Sequence, residues 1–134
     1  MRLAPSWIWS NGAGAIQQRR SDGRPLPLVP TGAGHVARLA LPAADHPGYY
    51  RGYSNSTLWP ALRSLPDRMS GSEEDYDSYR RINDFVARAA FDVRHRDAFW
   101  VHDYHLLPLG ADLHDLGIER PTGFFLHTPW PRPT

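Results

Sequence analysis

Between residues 79 and 93 the apolar side chains Tyr79, Ile82, Phe85, Val86, Ala89, Ala90 and Val93 recur at steps of three and four. That is the spacing of one helix face. Ser72, with Asp75 three residues later, supplies a capping-box start, with Asp in place of the usual Glu or Gln. Two apolar runs come next, Ala-Phe-Trp-Val at 98–101 and Thr-Gly-Phe-Phe-Leu at 122–126. Both have the length of strands buried on both faces. Between them Leu106, Leu109, Leu113 and Leu116 align on one side of a helix predicted from about 105 to 116. Pro108 is tolerated in its first turn and Gly117 ends it. Strand, helix, strand makes a βαβ unit, whose strands run parallel with a right-handed crossover.

The front of the chain is less regular. Trp7, Ile8 and Trp9 predict a short strand, but Gly12, Gly14, Gly23, Pro25, Pro27, Pro30, Gly32 and Gly34 interrupt the stretch beyond it. Residues 36–41 alternate and predict a strand closed by Pro42. The division is therefore an irregular Gly/Pro-rich segment over 1–35 and an α/β domain over 36–134. Within 49–64, an aromatic and polar stretch, Asn55 is predicted to cap a short helix carrying Leu58, Trp59 and Leu62.

Composition narrows the function classes. With 134 residues, one domain is expected. Fifteen basic against 14 acidic residues give a net charge of +1, so electrostatics make no case for nucleic acid or a membrane as partner. All the basic residues are Arg, which removes lysine Schiff-base chemistry, and the absence of Cys removes disulfides and thiolate nucleophiles. No apolar run is long enough to span a bilayer, and the first residues lack the apolar core of a secretion signal. A soluble, cytoplasmic protein is expected.

In open parallel sheets, ligands bind beyond the carboxyl ends of the strands. The first predicted strand runs into His102-Asp103-Tyr104-His105, the second into His127-Thr128-Pro129-Trp130-Pro131. Two polar clusters thus meet on one sheet edge. The residues leave alternatives open. Asp103 either caps the helix after it or faces a ligand, and His102 and His105 are either buried supports or functional groups. A metal set of His102, Asp103, His105 and His127 uses acceptable donor types, but its spacing matches no helical metal motif. Trp59 and Trp100 pack in a core by default; Trp59, between Ser54, Asn55 and Pro60, is the better platform for a sugar.

Three segments resemble successive blocks of the trehalose-6-phosphate synthase family. They are Tyr50-Arg51-Gly52-Tyr53-Ser54-Asn55-Ser56-Thr57-Leu58-Trp59-Pro60, then Trp100-Val101-His102-Asp103-Tyr104-His105-Leu106-Leu107-Pro108, then Gly123-Phe124-Phe125-Leu126-His127-Thr128-Pro129-Trp130-Pro131. Their order and spacing agree over about residues 36 to 134. Trp7-Ile8-Trp9-Ser10-Asn11-Gly12 is similar to a degraded Trp-x-Gly-Trp-Ser-Gly block. The family's enzymes are retaining glucosyltransferases of two Rossmann-like domains, the GT-B arrangement. The resemblance implies transfer of glucose from UDP-glucose to glucose 6-phosphate, without cofactor or metal. It also implies an incomplete Rossmann-like acceptor domain here, a parallel sheet with flanking helices. Carried over, Tyr50 contacts the acceptor phosphate and Trp59 packs on the acceptor sugar. Asp103 and Tyr104 hydrogen-bond the acceptor, and His127 reaches the donor glucose, so that His127 and Asp103 are the catalytic candidates.

Departures accompany the likeness. The family's opening strand and Gly-rich loop have no counterpart before Trp7, and its donor domain has none after Pro131. The isolated chain is therefore expected to be a piece of the acceptor domain, marginally stable and inactive alone. Thr128, Trp130 and Arg63 stand where the family often carries other residues, which keeps related enzymes with other acceptors open, such as glucosylglycerol-phosphate synthase or amino-cyclitol couplers. A non-catalytic remnant that binds a sugar phosphate is the alternative from a different class. Homo-oligomerisation is left open.

Overall fold

The computed structural model describes residues 6–9, by backbone alone, together with 28–31 and 34–133. The Gly/Pro-rich stretch 10–27, with Ser10, Asn11 and Gly12 of the first block, lies outside the described residues. Strand β1 (Ser6–Trp9) falls where the Trp-Ile-Trp run predicts it and pairs in parallel with β3 (Gly34–Arg38). Strand β2 (Val29–Thr31) joins the other edge of β3 antiparallel. Segment 1–35 is thus not wholly irregular, because β3 offers hydrogen-bonding partners on both its edges. The strand predicted over 36–41 is shifted to 34–38, since pairing with β1 and β2 begins at Gly34 and ends at Arg38.

A helix opens at Gly48–Leu58 in the wide π geometry and tightens into α1 (Trp59–Leu62). The Trp59 amide donates to the Ser54 carbonyl five residues back. Asn55 therefore lies inside a helix rather than capping one. Helix α2 (Glu73–Ala90) begins at Ser72 with both capping-box bonds made: Asp75 N–H donates to Ser72 Oγ and Ser72 N–H to Asp75 Oδ2. Its stripe of Tyr79, Ile82, Val86, Ala89 and Ala90 is buried, as the periodicity predicts. The π-helix lies close against its first turn; a Cβ at Gly52 would overlap the Asp75 side chain.

Strands β4 (Phe99–His102) and β5 (Thr122–Phe125) pair in parallel, with α3 (Leu109–Asp115) between them in sequence. The βαβ unit is present, but its helix is shorter than 105–116. Residues Tyr104–Leu106 make a separate 3-10 turn, and α3 starts after Pro108, which brings no amide of its own. Gly117, at a φ of 77°, closes α3 in a Schellman arrangement: its amide donates to His114 and that of Ile118 to Leu113.

One core spans both sheets, drawing Ala37 and Leu39 from the β3 side, Tyr49 from the π-helix, the α2 stripe, Val101, Leu109, Leu113 and Ile118. Burial on both faces of β4 and β5 is not observed. Val101 turns inward, whereas Trp100 is 63% exposed and Phe125 48%. The core role given to Trp100 by default is therefore wrong here: its indole lies over Gly123, where a Cβ would stand, on the sheet face away from α2 and α3. Among the described residues no helix is long and apolar enough to cross a membrane.

Candidate functional site

The carboxyl ends of β4 and β5 lie together. His102 pairs in register with Phe125, and the Asp103 amide donates to the Phe125 carbonyl at 2.8 Å. Two residues past Phe125, His127 turns back so that its Nε2 lies 2.9 Å from Nδ1 of His102. Asp103 and His127 thus occupy one rim, as the strand-end rule predicts.

Asp103 holds a backbone conformation of φ 73° and ψ 164°, a region essentially confined to glycine. Such strain costs on the order of 1–3 kcal/mol and gathers at functional sites. Its Oδ1 accepts from the Tyr104 amide at 3.0 Å, capping the 3-10 turn. The capping and ligand-facing readings of Asp103 are therefore compatible.

The strained residue swings the chain so that Tyr104 and His105 meet the π-helix. The Tyr104 hydroxyl donates to Asn55 Oδ1 at 3.1 Å. Tyr50 stacks on His105 with centroids 5.5 Å apart and planes 14° from parallel; His46 also stacks on Tyr50, at 5.8 Å. His105 in turn lies 4.2 Å from the Tyr104 ring. Tyr50 and Asn55 are five residues apart, the step that a π-helix brings to one face, and so they reach two consecutive residues of the turn. Helix α2 braces the same turn. Tyr79 donates its hydroxyl to the Tyr104 carbonyl at 2.7 Å, and fully buried Asn83 donates to the carbonyls of Tyr79 and His105.

Burial lowers the proton affinity of His105 below the ordinary imidazole range, with the Asp103 charge opposing it. Burial, then the Asp103 charge and Tyr50, raise the Tyr104 phenol. At neutral pH the turn therefore holds a neutral His105 and a protonated Tyr104.

Of the sequence candidates, Tyr50 reaches Tyr104 through the His105 ring, Asp103 caps the Tyr104 amide, and His127 joins them through His102, the residue before Asp103. Trp59 stands apart from it, one helical turn beyond Asn55, with the Arg63 guanidinium 5.3 Å from its ring centroid. The metal set does not assemble: His102 pairs with His127, while His105 is held between Tyr50 and Tyr104. Among the described residues no group of three or more His, Cys, Asp or Glu is placed to hold a metal ion. Sequence reasoning missed Asn55, Tyr79 and Asn83 as supports. Asn83 was detectable, as a polar side chain within the buried stripe of α2.

The chain matches the model of Glycosyltransferase family 20 over residues 17–134. It is 36% identical over 131 residues to the trehalose-6-phosphate synthase of Klebsiella pneumoniae, covering 97% of this chain and 27% of that protein. Among solved structures, the E. coli protein bound with UDP-2-fluoro glucose superposes with a TM-score of 0.81 at 32% identity, over 96% of this chain and 28% of that one. An alpha,alpha-trehalose-phosphate synthase (UDP-forming) from Burkholderia xenovorans, in complex with glucose-6-phosphate, superposes with a TM-score of 0.78 at 35% identity, over 94% and 27%. The chain spans about 27% of the length of the curated relatives it matches.

Proposed function

The chain belongs to glycosyltransferase family 20, and from that membership we propose that it supplies the acceptor side of a retaining glucosyl transfer. The donor is UDP-glucose, the acceptor glucose 6-phosphate, and the products are trehalose 6-phosphate and UDP. The observation that carries this reading is the single rim on which Asp103, Tyr104 and the His102–His127 pair stand, with Tyr50 behind it.

The chemistry fits those groups. A polyhydroxyl acceptor needs fixed acceptors and donors at set angles. Asp103, as a carboxylate, accepts from sugar hydroxyls. Tyr104 spends its proton on Asn55 and keeps a lone pair for a sugar hydroxyl. Tyr50 is held by its ring stack and offers a phenol to the acceptor phosphate. His127 faces the donor sugar. In the transfer, the bond between the donor's anomeric carbon and the diphosphate oxygen breaks as the acceptor's anomeric oxygen bonds to that carbon on the same face. The acceptor proton passes to the departing diphosphate, so no protein nucleophile is required. The chain's part is positioning and stabilisation of an oxocarbenium-like charge.

Separate calorimetric titrations with glucose 6-phosphate and UDP-glucose test this reading. Saturable glucose 6-phosphate binding that disappears in Asp103→Ala supports it. Binding unaffected by Asp103→Ala places the ligand elsewhere and removes the acceptor assignment.

A further inference from the structure

His102 has no part in the proposed transfer, yet it makes the contact nearest to His127. Its Nδ1 lies 2.9 Å from His127 Nε2, and the two rings are tilted by 27° with centroids 5.2 Å apart. The pair is set by the sheet. His102 ends β4 opposite Phe125, and past the end of β5 His127 comes back against both the His102 and the Phe125 rings. The Phe125 and His127 rings meet at 4.8 Å and 68°, and the Trp100 ring meets His102 at 6.3 Å and 73°. Both imidazoles are exposed, so burial does not hold either ring plane. The nitrogen-to-nitrogen contact and the Phe125 ring remain as the restraints.

We propose that His102 is a positioning residue for His127, holding its ring by an N–H···N hydrogen bond and leaving Nδ1 as the nitrogen His127 turns toward a ligand. In two neutral imidazoles joined this way, one nitrogen must carry the proton and the other a lone pair. The bond therefore couples the two rings into one shared tautomer, both Nδ1–H or both Nε2–H, and fixes the His127 ring about its Cβ–Cγ axis. A reacting group held at the wrong angle forfeits much of the rate that orientation supplies. The inference rests on the glucosyl-transfer reading for the ligand's identity, but the pairing itself does not.

The test uses the isotope-labelled 134-residue chain without ligand, at a pH above the ordinary imidazole range. Carbon relaxation of the His127 ring reads its order, and a scalar coupling between His102 Nδ1 and His127 Nε2 reads the bond. His102→Phe keeps an aromatic ring on the sheet and removes the nitrogen; His102→Asn returns an amide near the position of Nδ1. The expected result is an ordered His127 ring in the parent chain, loosened to the mobility of a free exposed imidazole in His102→Phe and restored in His102→Asn. Backbone amide spectra identify a retained fold. Equal His127 order in the parent and His102→Phe chains overturns the proposal. Because no ligand is present, a failed UDP-glucose titration removes the donor assignment of His127 while leaving this pairing intact.

Discussion

His105 and Tyr50 lie face to face, 5.5 Å between centroids and 14° from parallel, although they are far apart in sequence. This stack joins the π-helix to the strand-end turn, and so ties the residue proposed for the acceptor phosphate to those proposed for the acceptor hydroxyls. Its chemistry is pH-dependent. Burial disfavours the protonated imidazole, so the folded state binds that proton less readily than the unfolded chain does.

Acid should therefore weaken the fold through His105. The unfolded imidazole titrates near pH 6.5, and the native one below that. Between those two values the unfolded state binds more protons, so stability falls as pH drops and levels off below the native value. Urea midpoints at about pH 7.5 and about pH 5, on either side of the ordinary imidazole value, should differ less for His105→Asn than for the parent chain. An unchanged difference contradicts the assignment.

Asp103 should reverse the usual order of glycine and alanine. Asp103→Ala loses the cap to the Tyr104 amide and keeps the strained backbone. Asp103→Gly loses the same cap but relieves the strain, against the entropy that glycine adds to the unfolded chain. The glycine variant should be more stable than the alanine variant by about 1 kcal/mol, read from urea midpoints at equal slope. An alanine variant of equal or higher stability contradicts the strain.

Asn83 should matter beyond its size. Replacement by Leu strips the hydrogen bond from the His105 carbonyl inside the core and should cost about 1–3 kcal/mol. The same change should broaden the amide resonances of Tyr104 and His105, since the turn loses a brace. Loss of stability with an unaltered turn would separate core packing from site support.

The stability of the isolated chain should be low. Trp100, Phe125 and Trp130, the last 70% exposed, leave a large apolar surface uncovered. A calorimetric melt should show a weak transition at modest temperature and self-association at high concentration. A sharp transition at high temperature contradicts this expectation.

Much of the fold was legible in the sequence where a period or a special residue carried it. Helix α2 announced itself by its three-and-four spacing, its start by Ser72 and Asp75, the end of α3 by Gly117, and the parallel β4–β5 pair by two apolar runs around a helix. The π-helix was not legible. With α-helical spacing Tyr50 and Asn55 fall on different faces; only the five-residue step brings both to the turn at 104 and 105. Nor was the open face of β4, since an apolar run does not say which of its sides meets a partner. The rim came from the rule that ligands meet the carboxyl ends of parallel strands, while its bracing by Tyr79 and Asn83 depended on how α2 lies across the turn.

The central claim, that one rim receives a sugar phosphate, is tested most directly by residue-resolved NMR of the labelled chain titrated with glucose 6-phosphate. A rim of this kind predicts saturable shifts concentrated on Tyr50, Asp103 and Tyr104, absent with inorganic sulfate and lost in Asp103→Ala. No shifts at millimolar ligand, or shifts gathered on residues remote from β4 and the π-helix, would contradict it.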